Sequence, residues 1–322
     1  MTDQPEPGPG ALGQVRLWGT ALLVSAALLL LLPFHLAGVA IGGRAASAVT
    51  VLWHRFVVKV LGLRIRVTGR IAADRPLLLL SNHISWLDIP VLASVAPISF
   101  VAKREVAGWG VFGWLAKLQR SVFVDRERRH RTGSSAAEVG HRLSQGDLIV
   151  LFAEGTSSDG NRVLPFRSAL VGSAQRLMDG AADATVQPVA LAYTRMLGVP
   201  LGRQHRPEVA WYGDMELLPH LAHLLQLGAL DVEIVIGPPI RLPAGHDRKQ
   251  ATARAGRLVR RLGAGLNAGR EPEALLAGLA DLEGRPARGS AGQDAVRDPR
   301  DDQKAASVEA SRPAKPDRLA SS

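Results

Sequence analysis

Short apolar runs alternate along the middle of the chain with longer stretches whose apolar residues recur at helical spacing. The runs predict β-strands, because a buried strand is a short apolar segment bounded by turn residues. The strands are predicted at residues 63–70, 77–80, 98–103, 121–124, 146–156, 184–194, 207–213 and 231–240. Helices are predicted within 84–96 and at 108–119, 134–144, 172–178, 216–227 and 247–262. This alternation indicates an α/β fold with a largely parallel central sheet flanked by helices.

The N-terminal part has a different pattern, because residues 17–43 contain no Lys, Arg, Asp or Glu. At about 1.5 Å per residue this run can cross the roughly 30 Å of hydrocarbon in a bilayer. A signal peptide is the alternative, but the positively charged region that usually precedes its apolar run consists here of Arg16 alone. Pro33 predicts a kinked spanning helix or a split, re-entrant one. We predict a membrane anchor, and the basic residues after it place the C-terminal side on the cytoplasmic face of the inner membrane.

The pattern divides the chain into four predicted regions. They are a disordered N-terminus at 1–16, a membrane anchor and interfacial helix at 17–62, the α/β domain at 63–264, and a disordered tail at 265–322. The helix at 46–62 is amphipathic, and its apolar side either lies at the membrane interface or packs against the domain. The tail is rich in Ala, Gly, Arg and Asp, with a short helix predicted at 272–282.

Composition narrows the classes of function. The 322 residues are 47% hydrophobic, carry a formal net charge of +10 and include no cysteine. Without cysteine there is no disulfide framework, thiolate metal site or cysteine nucleophile. The basic balance suits nucleic acid, anionic lipid or an acidic carrier protein. Only 5% of the residues are aromatic and no aromatic-basic motif of an RNA-binding sheet is present, which favours lipid over nucleic acid.

Candidate chemistry begins in LLLLSNHISWLDIP, residues 77–90, where His83 follows a predicted strand and Asp88 comes five residues later. On one helix these positions would lie about 140° apart, so they meet only if His83 is on the turn and Asp88 is near the start of the next helix. Pro90 supports this placement, because proline is tolerated in a first helical turn. An imidazole beside a carboxylate can act as a general base with its orienting partner, and helix capping by Asp88 is the alternative.

His83, Arg126 and Glu154 share one position in the pattern, since each closely follows a predicted strand. Ligands of open parallel sheets bind beyond the carboxyl ends of the strands. The three side chains are therefore expected to form a common site at this edge of the sheet.

Four segments resemble, in order, the motifs of the glycerolipid acyltransferases. NHISWLD (82–88) resembles N-H-x-x-x-x-D, SVFVDR (121–126) resembles G-x-x-F-I-x-R, AEGTSS (153–158) resembles F-P-E-G-T-R-S, and VQPVAL (186–191) resembles an apolar run around a proline. The resemblance covers roughly residues 60–240 and implies that family's fold. It also implies transfer of a fatty acyl chain from a thioester of CoA or acyl carrier protein to a lipid hydroxyl, with no metal and no cofactor.

The resemblance implies a catalytic pair, His83 as the base and Asp88 as its orienting carboxylate. The residues that it implies in substrate binding are Arg126, on an anionic headgroup, and Glu154, Gly155 and Thr156, lining the acceptor site. Glu154 as a loop cap or salt-bridge partner is the alternative. Backbone N–H groups near Gly155 or at the helix start after His83 are candidates to stabilise the tetrahedral intermediate.

Two departures from the family motifs bear on the acceptor. Ser157 stands where the arginine after E-G-T is usual, and Arg120 stands where the second motif opens with glycine. In enzymes with phosphate acceptors that arginine is linked to binding glycerol phosphate, so its loss weakens the case for lysophosphatidic acid. The segments FAEGTSSDGNRVLPFRSAL and AWYGDMELLPH are similar to the bacterial branch that acylates lyso-ornithine lipid. Arg162 or Arg167 is a candidate replacement for the missing charge.

The sequence therefore predicts a membrane-bound bacterial O-acyltransferase that acts on a single-chain lipid, either 1-acyl-sn-glycerol-3-phosphate or lyso-ornithine lipid. Its expected partners are this lysolipid, acyl-CoA or acyl carrier protein, and membrane lipids, without nucleic acid. A non-catalytic, membrane-anchored lipid-binding protein on the same fold is the alternative. A thioester hydrolase of the serine type would need a G-x-S-x-G elbow, which the chain lacks.

Overall fold

A computed structural model describes residues 11–41, 44–124, 141–143, 145–175, 183–243 and 248–283. All but the last two of these residues belong to one compact unit, Met1–Asp281, and a second unit comprises Leu282–Ser322. Most of the predicted helix at 134–144 lies outside the described residues.

The helices are α1 (Ala11–Ala40), α2 (Arg44–Val60), α3 (Asp88–Val95), α4 (Gly110–Leu118), α5 (Ser168–Gln175), α6 (Arg206–Val209), α7 (Leu217–Leu227), α8 (Arg248–Asn267) and α9 (Pro272–Glu283). The strands are β1 (Leu63–Thr68), β2 (Leu77–Ser81), β3 (Ile98–Lys103), β4 (Val122–Val124), β5 (Leu148–Phe152), β6 (Asp183–Met196), β7 (Val199–Pro200), β8 (Leu230–Ile236) and β9 (Ile240–Pro243). A 3-10 turn, Arg104–Gly108, joins β3 to α4.

The strands form one sheet in the order β1-β8-β6-β2-β5-β3-β4, with β7 and β9 also paired to β6. The pairs β6–β2, β2–β5, β5–β3, β3–β4 and β1–β8 are parallel, whereas β8, β7 and β9 run antiparallel to β6. The predicted α/β fold with a largely parallel sheet is confirmed. The carboxyl ends of β2, β5 and β6 therefore lie at one edge, where we expected the site.

Alternating side chains bury both faces of the sheet. In β2, Leu77 and Leu79 belong to a core that includes residues of α2, α3 and α7, while Leu78 and Leu80 belong to a core that includes residues of α8. Helix α5 joins the second core and α9 joins a third beside it. Since both faces are covered, the strands are continuous apolar runs, as parallel strands usually are.

Helix α1 packs along α2 and also contacts α7. It includes a stretch, Gly13–Ala40, that is long and apolar enough to cross a membrane and that is only 11% buried. The helix continues through Pro33, so the apolar run is not split there. In α2, Val58 is buried in the domain core while Leu52 is exposed, so part of this amphipathic helix packs against the domain.

Two parts of the sequence fold differently from the prediction. Residues 207–213 were expected to form a strand, but Arg206–Val209 is a short helix and the following residues are irregular. Pro207 explains the difference, because it has no N–H for a strand ladder and fits the first turn of a helix. Helix α8 runs to Asn267, past the predicted domain end at residue 264, whereas the short helix predicted at 272–282 is present as α9 and buries Leu279 against the sheet.

Candidate active site

Asn82 fixes the turn that carries the candidate base. The side-chain Nδ2 of Asn82 donates to the Leu191 carbonyl, and its side-chain Oδ1 accepts from the Leu191 N–H, both at 2.9 Å. This pair continues the β2–β6 ladder by one step, beyond the last backbone pair of Ser81 with Val189. The residue after Asn82 therefore leaves the edge of the sheet in a defined direction.

His83 and Asp88 form a hydrogen-bonded pair at this edge. His83 lies on the turn and Asp88 is the first residue of α3, as the spacing predicted. The His83 Nδ1 and Asp88 Oδ2 atoms are 2.8 Å apart. A carboxylate only accepts, so Nδ1 carries the proton and the lone pair is on Nε2. The same Oδ2 accepts from the backbone N–H of Ile84 at 2.7 Å and of Ser85 at 3.1 Å.

Tyr193 completes the surroundings of the carboxylate. Its hydroxyl donates to Asp88 Oδ1 at 2.8 Å, and both side chains are buried. Burial raises the pKa of the Tyr193 phenol well above its usual value, and the charge of Asp88 raises it further. Tyr193 therefore stays protonated and serves as a permanent donor.

The imidazole of His83 has one protected face and one open side. The ring stacks on Phe152, the last residue of β5, with ring centroids 4.0 Å apart and an interplanar angle of 14°. The side chain is 18% exposed. With Nδ1 bound to Asp88, Nε2 is the nitrogen available to a substrate proton, which is the arrangement of a general base with an orienting acid.

Glu154 links the two motif segments beneath the turn. Its Oε1 accepts from the His83 N–H and its Oε2 from the Leu164 N–H, each at 3.0 Å. The residue is 1% exposed, and this burial raises the pKa of the Glu154 carboxyl to about 8, against the opposing effect of the two N–H donors. Both oxygens are thus occupied by backbone groups. These contacts are those of the loop-cap alternative, and a role for Glu154 in lining the acceptor site stays a prediction.

Gly155 and Thr156 follow at the surface of the same loop. Gly155 has φ +77°, and a Cβ there would lie 3.2 Å from Cδ of Arg167. The Arg167 side chain therefore crosses the Gly155 backbone, and its own N–H is held by the Ala153 carbonyl at 2.8 Å. Thr156 is exposed. A cation thus lies beside the loop in which Ser157 replaces the family's arginine.

Three backbone N–H groups near the site already have acceptors. The N–H groups of Ile84 and Ser85 point to Asp88, and the N–H of Gly155 donates to the Phe152 carbonyl at 3.1 Å. None of these three groups is directed at a substrate. Oxyanion donors elsewhere near Gly155 or at the start of α3 stay a prediction.

Sequence reasoning missed three supporting residues, and it placed one residue that the structure does not describe. Asn82 was part of the first motif but had no role, Phe152 was only a strand residue, and Tyr193 lay in a buried strand. A buried tyrosine needs a partner for its hydroxyl, which was the available signal for Tyr193. Arg126 lies outside the described residues. Among the residues described, no three His, Asp or Glu side chains cluster as a metal site would require.

Comparison with known proteins identifies the family that this chain resembles. The family described as Acyltransferase matches residues 64–192. A lyso-ornithine lipid O-acyltransferase from Brucella abortus is 46% identical over 266 residues, which is 82% of this chain and 100% of that protein. A 1-acyl-sn-glycerol-3-phosphate acyltransferase from Neisseria gonorrhoeae is 34% identical over 168 residues, 52% of this chain and 62% of that protein.

One solved structure is similar in fold. The crystal structure of the 1-acyl-sn-glycerophosphate acyltransferase from Thermotoga maritima superposes with a TM-score of 0.52 at 19% identity. The similarity covers 86% of this chain and 100% of that one. At this identity the match supports the architecture alone.

Proposed function

We propose, from the premise that this chain belongs to the acyltransferase family, that it transfers a fatty acyl group from a thioester to the hydroxyl of lyso-ornithine lipid. The observation that carries the proposal is the His83–Asp88 pair, in which Nδ1 is bound by the carboxylate and the imidazole side chain is 18% exposed. The proposed setting is the cytoplasmic face of the inner membrane, with acyl-CoA or acyl carrier protein as the donor.

In the proposed reaction, His83 first takes up a proton and later gives it back. His83 Nε2 removes the proton of the acceptor hydroxyl as its oxygen attacks the thioester carbonyl carbon. The tetrahedral intermediate then expels the thiolate, which takes the proton back from the imidazolium. Asp88 stabilises that imidazolium, and Tyr193, Ile84 and Ser85 keep the carboxylate in place.

Lyso-ornithine lipid is the favoured acceptor for two reasons. Four relatives that are 32–46% identical carry this activity in their names. Ser157 also removes a cation from the third motif, while the Arg167 side chain lies across Gly155. We assign to Arg167 the binding of the carboxylate of the ornithine headgroup, because a guanidinium pairs well with a carboxylate. Arg126 retains the headgroup role that the family resemblance implies.

A parallel assay tests the proposal. Purified full-length protein in lipid vesicles is given acyl-CoA or acyl carrier protein thioesters with lyso-ornithine lipid or 1-acyl-sn-glycerol-3-phosphate. Acylation of lyso-ornithine lipid is expected, with Arg167→Ala raising KM for it and Arg162→Ala, the matched loss of charge in the same loop, leaving KM unchanged. Acylation of the phosphate lipid alone would replace the acceptor, and lipid binding without transfer would support the non-catalytic alternative.

A further inference from the structure

Helix α4 places its large apolar residues outside and its smallest residue inside. Gly113 is its buried residue, and a Cβ there would lie 2.6 Å from the Ala107 carbonyl oxygen. Val111 is 65% exposed, Phe112 37% and Trp114 39%. A surface helix of a water-soluble protein has the opposite arrangement, with its apolar side against the core. The outer side of α4 is therefore built for contact with something other than water.

The exposed apolar surface continues beyond α4. Trp109, which is 44% exposed, meets the edge of Trp211 with ring centroids 6.0 Å apart. The residues after Trp211 lead into α7 and expose further large side chains. We call the whole surface the rim patch, and it comprises Trp109, Val111, Phe112, Trp114, Tyr212, Met215 and Leu218.

The rim patch borders the candidate active site. The Trp211 N–H donates to the Ile84 carbonyl at 2.9 Å, and Ile84 directly follows His83. On the other side, α4 follows β3, whose parallel neighbour β5 ends at Phe152 beneath the His83 ring. An apolar, aromatic surface thus adjoins the turn that carries His83.

The composition of the rim patch favours a bilayer over a protein partner. Residues 103–120 carry four cations, Lys103, Arg104, Lys117 and Arg120, and a single carboxylate, Glu105. Tryptophan and cationic side chains together are typical of the membrane–water interface, where the rings meet the headgroups and the cations meet anionic lipid. Lysine is depleted in the cores of protein interfaces. Helix α7, which contributes Leu218, also contacts the membrane-type helix α1.

We propose that the rim patch is a second membrane contact, separate from α1, that inserts into the bilayer interface and lets the lysolipid enter the site without leaving the lipid. The membrane contact stands on the rim patch itself, and the entry route rests on the proposed function. The aromatic side chains enter the headgroup region, and the cations Lys103, Arg104 and Lys117 remain exposed to anionic headgroups.

A fluorescent label tests the contact without any turnover. The chain has no cysteine, so Val111→Cys provides a single attachment point for an environment-sensitive dye in full-length protein reconstituted into anionic vesicles. We expect a blue-shifted emission that is quenched by lipids carrying a quencher on the acyl chain. Arg257→Cys, on the exposed side of α8, is the matched control and should report water. Emission typical of water at residue 111 would overturn the proposal. Blue-shifted emission that lipid quenchers do not reduce would also overturn it, because the dye would then be covered by protein rather than by lipid.

An activity comparison tests the entry route. Phe112→Ser with Trp114→Ser should raise KM for lysolipid in vesicles about tenfold or more, since two large side chains lose their place in the interface. With a short-chain lysolipid dissolved in water, the KM of this double variant should equal that of the parent protein. Leu197→Ser, at the turn between β6 and β7, removes an exposed apolar side chain outside the rim patch and should change neither value. Equal loss with both substrates would overturn the entry route.

Discussion

At the scale of single residues, Asp88 is held by four donors from two parts of the chain. His83, Ile84 and Ser85 approach from the preceding turn, and Tyr193 approaches from β6. A buried carboxylate with this many hydrogen bonds is held in one position. The direction of the His83 ring is therefore set by a network rather than by a single contact.

Replacing His83 by alanine should lower acyl transfer by at least about two orders of magnitude, because the acceptor hydroxyl loses its base. Transfer is measured with radiolabelled thioester and membrane-embedded lysolipid. His205 is the matched control, since it forms an exposed pair with Glu208 at 2.6 Å. His205→Ala should keep the parent rate, and substantial activity of His83→Ala would refute the assignment of the base.

Tyr193→Phe should lower kcat about tenfold, because a hydrogen bond to a buried charge is lost. The phenylalanine ring keeps the volume of the tyrosine, so the variant should lose kcat while its KM and its unfolding temperature stay close to those of the parent. A change in packing would lower the unfolding temperature together with kcat. A kcat equal to that of the parent would rule out a positioning role for Tyr193.

Glu154 should make the stability of the domain depend on pH. Its carboxyl has a folded-state pKa of about 8 against an ordinary value of 4.5, so the folded state retains a proton that the unfolded chain releases. Stability is therefore highest below the lower value and falls as pH rises through the higher one. Glu154→Gln removes this titration and leaves one buried N–H without an acceptor, at a cost of about 1–3 kcal/mol.

The unfolding temperatures of parent and Glu154→Gln are measured from pH about 4 to about 9, a window that brackets both pKa values. The parent should be the more stable at the acidic end, and the difference should shrink toward the basic end. A difference that is constant across this window would show that Glu154 does not titrate there.

Sequence spacing predicted the His83–Asp88 pair because both partners lie in one motif, five residues apart. Tyr193 comes from a strand 105 residues away, and the partner of Leu191 is Asn82 at a separation of 109. Such contacts depend on which strands become neighbours, and the apolar pattern of a strand does not encode its neighbours. The same limit explains why the contact of Glu154 with the His83 N–H was not predicted.

At the scale of elements, the strands and helices were predictable where apolar periodicity and turn residues agree. Strand β3 has the predicted bounds, and α7 begins one residue later than predicted. The segment 207–213 failed because its apolar residues mimic a strand while Pro207 begins a helical turn. Whether α2 packs inward was left open by its amphipathic pattern, and the burial of Val58 answers it.

Gly69 ends β1 at a point that tolerates no side chain. It has φ +92°, and a Cβ would collide with the Ile236 carbonyl oxygen of β8. Gly69→Ala should destabilise the domain by about 1–3 kcal/mol, from strain and displacement of β8. Gly198→Ala shares the positive φ, +82°, but has open space around it, so its cost should be the smaller one. Thermal unfolding compares the two, and equal losses would exclude a contribution from the collision.

At the scale of the whole molecule, the helices on the two sides of the sheet have different surroundings. Helices α2, α3 and α7 cover one side, and α1 packs outside them. On the other side, α8 buries Ala255 and Val259 and exposes Arg257, Arg260 and Arg261. Among the described residues, most of the exposed large apolar side chains thus lie on α1 and the rim patch.

Deleting residues 1–41 should abolish attachment that survives alkaline carbonate, because α1 supplies the long apolar stretch. Membrane fractions of cells that express each form are extracted and the pellets compared. Deletion of residues 284–322 is the matched control, since it removes a similar length from the other end and should leave the attachment unchanged. A carbonate-resistant form that lacks 1–41 would place the anchor elsewhere in the chain.

The spacing of residues along β6 sets the relative positions of the two members of the proposed catalytic pair. Leu191 anchors Asn82 next to the histidine, and two residues further on Tyr193 anchors the aspartate. The distance between these anchor points is set by the rise of a β-strand, about 7 Å for two residues. One residue inserted between Ala192 and Tyr193 would leave Asn82 docked but turn the tyrosine to the opposite face of the sheet. His83 and Asp88 would both still be present, but Asp88 would lose the Tyr193 hydrogen bond that fixes its position relative to the histidine.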